Sequence, residues 1–298
     1  MADPDTRATS PDPRTLAPAR TTSWARSLRG LLRRPLALSG LLLILLFVIL
    51  AVVPQSIATA DPIKLDMGAR LRPPSSEHWF GTDNFGRDIF SRVVYGARIS
   101  LLTGLAVLAS AAVIGMSIGI WAGYRGGWTD ELLMRVTDVF MAFPVILLAM
   151  VVVVVLQPGL FNTTVALVIV WWPAYARLMR GQALALKGRP FVEAAVATGA
   201  SPARVVLRHI LPNALAPLLV QGTMDMGYVV LTAASLGFLG LGAQAPTPEW
   251  GVMISNGRGY FLEAWWYPLF PGLAIAGLVL AFNLVGDDVR DWLDPRSR

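Results

Sequence analysis

An all-α polytopic membrane protein with six transmembrane helices and a cytoplasmic helix pair is the architecture this sequence predicts. Three observations carry the prediction. The chain is 55% hydrophobic and only 15% charged, with mean hydropathy +0.57, whereas a soluble domain carries about a quarter charged residues. Six apolar runs recur along it. Its basic residues cluster beside those runs on alternate sides, as at the cytoplasmic flanks of membrane spans. The net charge of +6 therefore speaks for a lipid bilayer and against nucleic acid.

The elements follow in order. Residues 1–35 are rich in Pro, Ser, Thr, Ala and Arg without apolar periodicity, and are expected to be a disordered cytoplasmic tail. Residues 36–53 form the first apolar run, long enough to cross a core of about 30 Å at about 1.5 Å per residue. A cleavable leader is the rival reading, because Ala58-Thr59-Ala60 resembles a cleavage site. The run exceeds an h-region of about 7–15 residues, which favours a retained span. Residues 54–95 are expected outside the membrane, and 96–298 to form a core with five further spans, near 99–122, 138–156, 160–176, 214–242 and 266–285.

Charge sets the orientation. The tail has seven arginines, the 177–208 stretch six basic residues and the end after Gly286 three. The 157–159 turn has none and the 243–265 loop only Arg258. Both termini are thus expected in the cytoplasm of a multi-pass cell-membrane protein. The outer 54–95 segment balances five basic residues with five acids.

Within "GTDNFGRD", Asp83, Asn84 and Asp88 suggest a calcium loop, but glycine follows Asp83 by three positions where an EF-hand needs five. The spacing instead predicts a turn with Asp88 as N-cap of a helix. Ile89, Phe90, Val93, Val94 and Ala97 would form its apolar face, making an interfacial helix on the outer surface that leads into the second span. Gly115, Gly119 and Gly123 repeat every four residues on one face and allow another helix to approach closely, within the bundle or from a second subunit. Pro144 and Pro173 are expected to interrupt spans three and four.

The stretch "FVEAAVATGASPARVVLRHILPN", 191–213, interrupts the apolar pattern. Pro190 can open a helix, Glu193 suits its positive end, and Gly199 suits the left-handed position that closes it. Ser201-Pro202 then reads as an N-cap followed by Pro at N1, and Pro212 as a kink at entry to span five. A plain return loop needs about 2–8 residues; this one, 177–212, spends over thirty.

Here the sequence resembles a known family. Glu193-Ala194-Ala195, Gly199, Leu211 and Pro212 fall in register with the EAA loop of the membrane subunits of ABC importers. His209 stands at the isoleucine position of that pattern, and "RHILPN" is similar to the peptide/nickel subfamily version. "HWFGTDNFGRDIFSRVVYGARISLL" (78–102), "SLGFLGLGAQAPTPEWGVMISNGR" (235–258) and "GDDVRDWLDPR" (286–296) resemble the same subfamily. The resemblance implies a permease for dipeptides, oligopeptides, glutathione or nickel. Its first cytoplasmic helix would be a coupling helix that docks on an ATPase. It also implies the partners: a second permease, two ATP-binding domains and an external substrate-binding protein.

Several chemistries are missing. No Gly-x-x-x-x-Gly-Lys-Ser/Thr loop exists, so ATP and Mg would be held by partner subunits. There is no cysteine, and the two histidines, His78 and His209, are far apart, so no metal site is expected. Asp225 is the one acid deep inside an apolar run. It is either a path or gating group or a packing partner hydrogen-bonded to Gln221 one turn earlier. An intramembrane enzyme would need paired aspartates, a Ser/His pair or His-Glu-x-x-His at matching depth, whereas Asp287 stands at the end of the sixth span, Asp225 inside the fifth, and no such His motif exists. A secondary transporter would usually carry more intramembrane polar groups.

Overall fold

The computed structural model describes residues 35–293. The expected tail therefore lies outside the described residues, Pro35 excepted. The described chain is helical: α1 Pro35–Val52, α2 Ile89–Arg125, α3 Gly127–Met141, α4 Val145–Leu156, α5 Leu160–Lys187, α6 Pro190–Ala197, α7 Leu211–Phe238, α8 Trp250–Gly257 and α9 Trp266–Leu293. The first helix falls one residue from the sequence expectation.

Four helical stretches are long and apolar enough to cross a bilayer: Pro35–Val52, Ile89–Arg125, Pro202–Phe238 and Trp266–Gly286. The pair α3 and α4, bent by 89°, adds a fifth if it is one span. In α5, 28 residues long, Asn162, Thr163, Thr164, Trp171, Trp172, Pro173 and Tyr175 dilute the apolar run.

The most extensive packing is between α2 and α5. Gly115, Gly119 and Gly123 meet the backbone carbonyls of Trp172, Ala176 and Arg180, one turn apart on α5. A Cβ on Gly115 would lie 2.6 Å from the first, and one on Gly123 2.7 Å from the third. Where lipid supplies no hydrophobic drive, such close backbone approach is a main source of helix association. α7 packs on α9 and on α2, and α1 lies against α9, where Gly40 meets Ala281 and Leu284.

Two expectations change. Ile89 opens a helix that runs unbroken to Arg125, so the expected interfacial helix and the second span are one element. Its apolar face is covered by protein: Ile89, Val93, Val94 and Ala97 are buried, and the Trp250 indole seats against Gly96 while donating to the Val93 carbonyl at 3.0 Å. The two prolines also differ. Pro144 stands at the 89° break. Pro173 is buried inside a continuous α5 and interrupts nothing.

Candidate functional site

Three polar constructions stand out on this scaffold. The first is the module before α2, expected outside the membrane. Asp88 caps α2, accepting from the Ser91 N–H at 2.8 Å, and also receives Ser91 Oγ, Thr59 Oγ1 and His78 Nδ1. Asp83 accepts from Arg87 Nε at 2.6 Å and from the N–H groups of Phe85 and Arg87. Both carboxylates are thus occupied by protein donors, which is the chemistry of a turn and cap. Among the described residues no group of three or more His, Asp or Glu could hold a metal. Buried Arg92 ties three segments together, donating to the carbonyls of Pro62 and Pro246.

Glu249, directly before α8, was not singled out from the sequence. It is buried and accepts from the N–H groups of Gly251 and Val252, capping α8. Burial pushes its carboxyl up to about 7, partly offset by those two backbone donors. Gly237, at the end of α7, leaves the room its side chain occupies. An acid directly before Trp250 was the available signal, since a negative side chain is stabilised at a helix N-terminus.

The second construction is the helix pair expected on the cytoplasmic side. α6 starts at Pro190, and Glu193 lies in its first turn. It closes as a Schellman motif: Gly199 N–H reaches the Val196 carbonyl at 2.9 Å and Ala200 N–H the Ala195 carbonyl at 3.0 Å. Gly199 takes φ +83°, and space for a Cβ there is open. Ser201 then caps the next turn, Pro202–Val205, accepting from the Arg204 N–H. A five-residue π-helical segment, Val206–Ile210, leads into α7. Pro212 has no N–H for the Arg208 carbonyl, and the ladder shifts register so that Leu211 N–H reaches the Val206 carbonyl. Buried Val192, Val205 and Ile210 hold the pair together, while Phe191, Glu193, Ala194, Val196 and Ala197 face outward. The motif residues divide accordingly: Glu193 and Ala194 are exposed, Ala195 and Leu211 partly buried, and Gly199 sits at the hinge.

The third is Asp225, in the middle of α7. Gln221 Nε2 donates to its Oδ1 at 2.9 Å. The Tyr175 hydroxyl and Trp171 indole of α5 lie within its reach, and Trp171 meets Tyr228 at 5.5 Å between ring centroids. Trp171 and Tyr175 come from another helix, while Gln221 and Tyr228 stand about one turn either side of Asp225 on α7 itself.

Residues 115–298 match the family model "Binding-protein-dependent transport system inner membrane component". The chain belongs to this permease family. Residues 22–74 match the N-terminal TM domain of oligopeptide transport permease C. Among the permease's curated relatives is the dipeptide transport system permease protein DppC of Alkalihalophilus pseudofirmus, 45% identical over 92% of this chain and 90% of its own. The probable D,D-dipeptide transport system permease protein DdpC of Escherichia coli is 46% identical over 88% of each. The glutathione transport system permease protein GsiD of Escherichia coli is 46% identical over 93% of this chain and 92% of its own. The fold is similar to that of an inward-facing structure of the MetNI methionine ABC transporter, with TM-score 0.55 and 23% identity over 69% of this chain and 98% of that one.

Proposed function

We propose that this permease subunit moves short peptides into the cell, across a cytoplasmic membrane it crosses six times with both termini inside. Counting α5 and the broken pair α3–α4 as crossings gives that number, and the placement of basic residues supports the orientation. The relatives named for dipeptides and for glutathione, itself a tripeptide, support the cargo class. A nickel cargo, open from sequence, has no such support among them.

The observation that carries the mechanism is the outward face of α6. Phe191 and Val196 are exposed apolar side chains on a helix held at a fixed angle by Gly199. Their small neighbours Ala194 and Ala197 let such a helix sit deep in a groove. The proposed occupant is the cleft of a separate ATPase subunit, which would hold ATP and Mg. A second permease subunit, two ATP-binding domains and an external substrate-binding protein complete the transporter. Closure of the ATPases would move α6, and the π-helical segment before α7 would pass that movement into the bundle. The requirement is two bundle arrangements with different affinity for the nucleotide-bound ATPase.

Co-purification and uptake test this together. The intact complex should retain an ATPase and take up labelled dipeptide with its binding protein; uptake of nickel without peptide would overturn the cargo. Because the chain has no cysteine, single cysteines test the orientation. Ser56→Cys and Thr247→Cys should react with an impermeant reagent from outside, and Ala200→Cys only after permeabilisation. Outside labelling at Ala200 would overturn the six-span arrangement.

A further inference from the structure

Asp225 is a charge without a counter-charge. No lysine or arginine pairs with it among the described residues. An ionisable group inside a span is costly, and where it persists it faces a pathway or a partner. Its depth is central. Asp225 is fourteen residues into α7 and Trp171 eleven into α5, about 21 and 17 Å at about 1.5 Å per residue. The break between α3 and α4 lies at the same level, because Phe140, beside it, meets Trp172 ring to ring at 5.4 Å. A discontinuous helix beside a polar group near the midplane is where transporters commonly place cargo contacts.

The surrounding chemistry is that of a cation site. Gln221 spends its amide N–H on Asp225, which leaves its carbonyl oxygen as an acceptor beside the carboxylate. The buried Tyr175 hydroxyl lies beside the Asp225 carboxylate without a well-formed hydrogen bond to any group, and a hydroxyl keeps acceptor capacity even where it donates to a carboxylate. Trp171 is buried, while Tyr228 is 55% exposed and opens the group to the outside of the chain. Trp171 and Tyr228 pack on each other beside this group, 5.5 Å between ring centroids, and aromatic rings close to a cation add to its attraction. A primary ammonium has three N–H donors, which match acceptors on Asp225, Gln221 and Tyr175. An anion would be repelled by the carboxylate.

We propose that Asp225, Gln221, Trp171, Tyr175 and Tyr228 form a mid-membrane site for the α-ammonium group of the peptide cargo. The cargo rests on the peptide reading given above; the site itself rests on the uncompensated carboxylate and its rings. The contact would be transient, orienting the peptide amino end first between α5 and α7.

The test uses the intact transporter complex in nanodiscs, without nucleotide or binding protein. Saturation-transfer NMR reads the binding of alanyl-alanine, N-acetyl-alanyl-alanine and methylammonium. Wild type should bind the first and third but not the acetylated peptide. Asp225→Asn should weaken both by about tenfold, the loss of a charge-assisted contact. Tyr228→Leu should weaken them several-fold and Tyr228→Phe should not. Equal binding of the free and acetylated peptides overturns the site. So does unchanged binding by Asp225→Asn, or a loss confined to its assembly yield, which would make Asp225 a packing partner. Uptake of dipeptide by the wild-type complex with its binding protein is measured alongside. If uptake is absent but methylammonium binding depends on Asp225, the peptide cargo falls and the ammonium site stands.

Discussion

Gly119 and Gly199 are the same residue used for opposite reasons. At Gly119 the helical backbone is ordinary, and the missing Cβ is what lets α2 touch the Ala176 carbonyl of α5. At Gly199 the space around a Cβ is empty, and the backbone conformation, φ +83°, is what demands glycine. The first region is a closed interface whose every contact is internal. The second is a small unit with three buried apolar anchors and an outward apolar face. One glycine holds the bundle together; the other sets the direction of a helix whose proposed partner is another protein. The comparison separates stability from transmission, and substitutions can test the separation.

The largest effect should come from Gly119→Leu. Its side chain would have to displace a backbone carbonyl, which cannot rotate away, and α2 and α5 would part along the whole glycine row. Overpacking typically costs about 1–3 kcal/mol and more where backbone must move, so this variant should lose most folded, monodisperse protein. Gly123→Ala, where the clash is milder, should fold with a lowered melting temperature. Normal yield and melting for Gly119→Leu would show that the interface is not as close as described.

Glu249 should give a smaller, pH-dependent effect. Its carboxyl is held at about 7 in the fold, against 4.5 when free. The folded state therefore keeps a proton that the unfolded chain releases above 4.5, so stability is highest at low pH and falls as pH rises towards 7. The full window corresponds to about 3 kcal/mol. Glu249→Gln should flatten that part of the profile when melting is compared at pH 5 and pH 8. A wild-type profile that rises over this range would contradict a burial cost that outweighs the two backbone donors.

The sequence announced local chemistry better than long-range arrangement. Asp88, Gly199 and Ser201 were legible because caps and left-handed turns are decided within about four residues. The glycine row was legible as a face, but not the helix it meets, because small residues say only that something comes close. Pro144 and Pro173 looked alike, yet one stands at an 89° break and the other inside a continuous helix. The difference is set by neighbours. Arg180 grips Asp130 with two bonds and Arg177 grips Asp138, fixing α3 across α5. Eight residues of α3, about 12 Å, are matched there to three of α5, about 4.5 Å. No local pattern contains that crossing. The aromatic group around Asp225 was hidden for the same reason, since Trp171 and Tyr175 arrive from a different helix.

The smallest cost in stability and the sharpest change in function should come from Gly199. A β-branched residue at positive φ is strained by roughly 1–2 kcal/mol, from contact of Cβ with its own backbone carbonyl. Nothing else opposes it, because no neighbouring atom lies within 4 Å of the added carbon. Gly199→Val should therefore insert and assemble nearly as wild type. Relief of the strain would rotate α6 about the end of the Schellman turn. The buried anchor Val192 limits the rotation at one end of the helix, while Val196 and Ala197 at the other end would swing. A helix tip seated in a close-fitting groove tolerates little displacement, because packed interfaces lose contacts over fractions of an ångström. Under the proposed coupling role, peptide uptake should fall steeply, and ATP hydrolysis should stop responding to cargo-loaded binding protein. Gly199→Ala should be milder, and Gly199→Asn milder still, since asparagine accepts the left-handed region best among residues with a side chain. Uptake ranked Gly, Asn, Ala, Val at equal membrane level would tie function to this one dihedral angle. Wild-type uptake by Gly199→Val would remove α6 from the transmission path and leave Gly199 as a turn residue only.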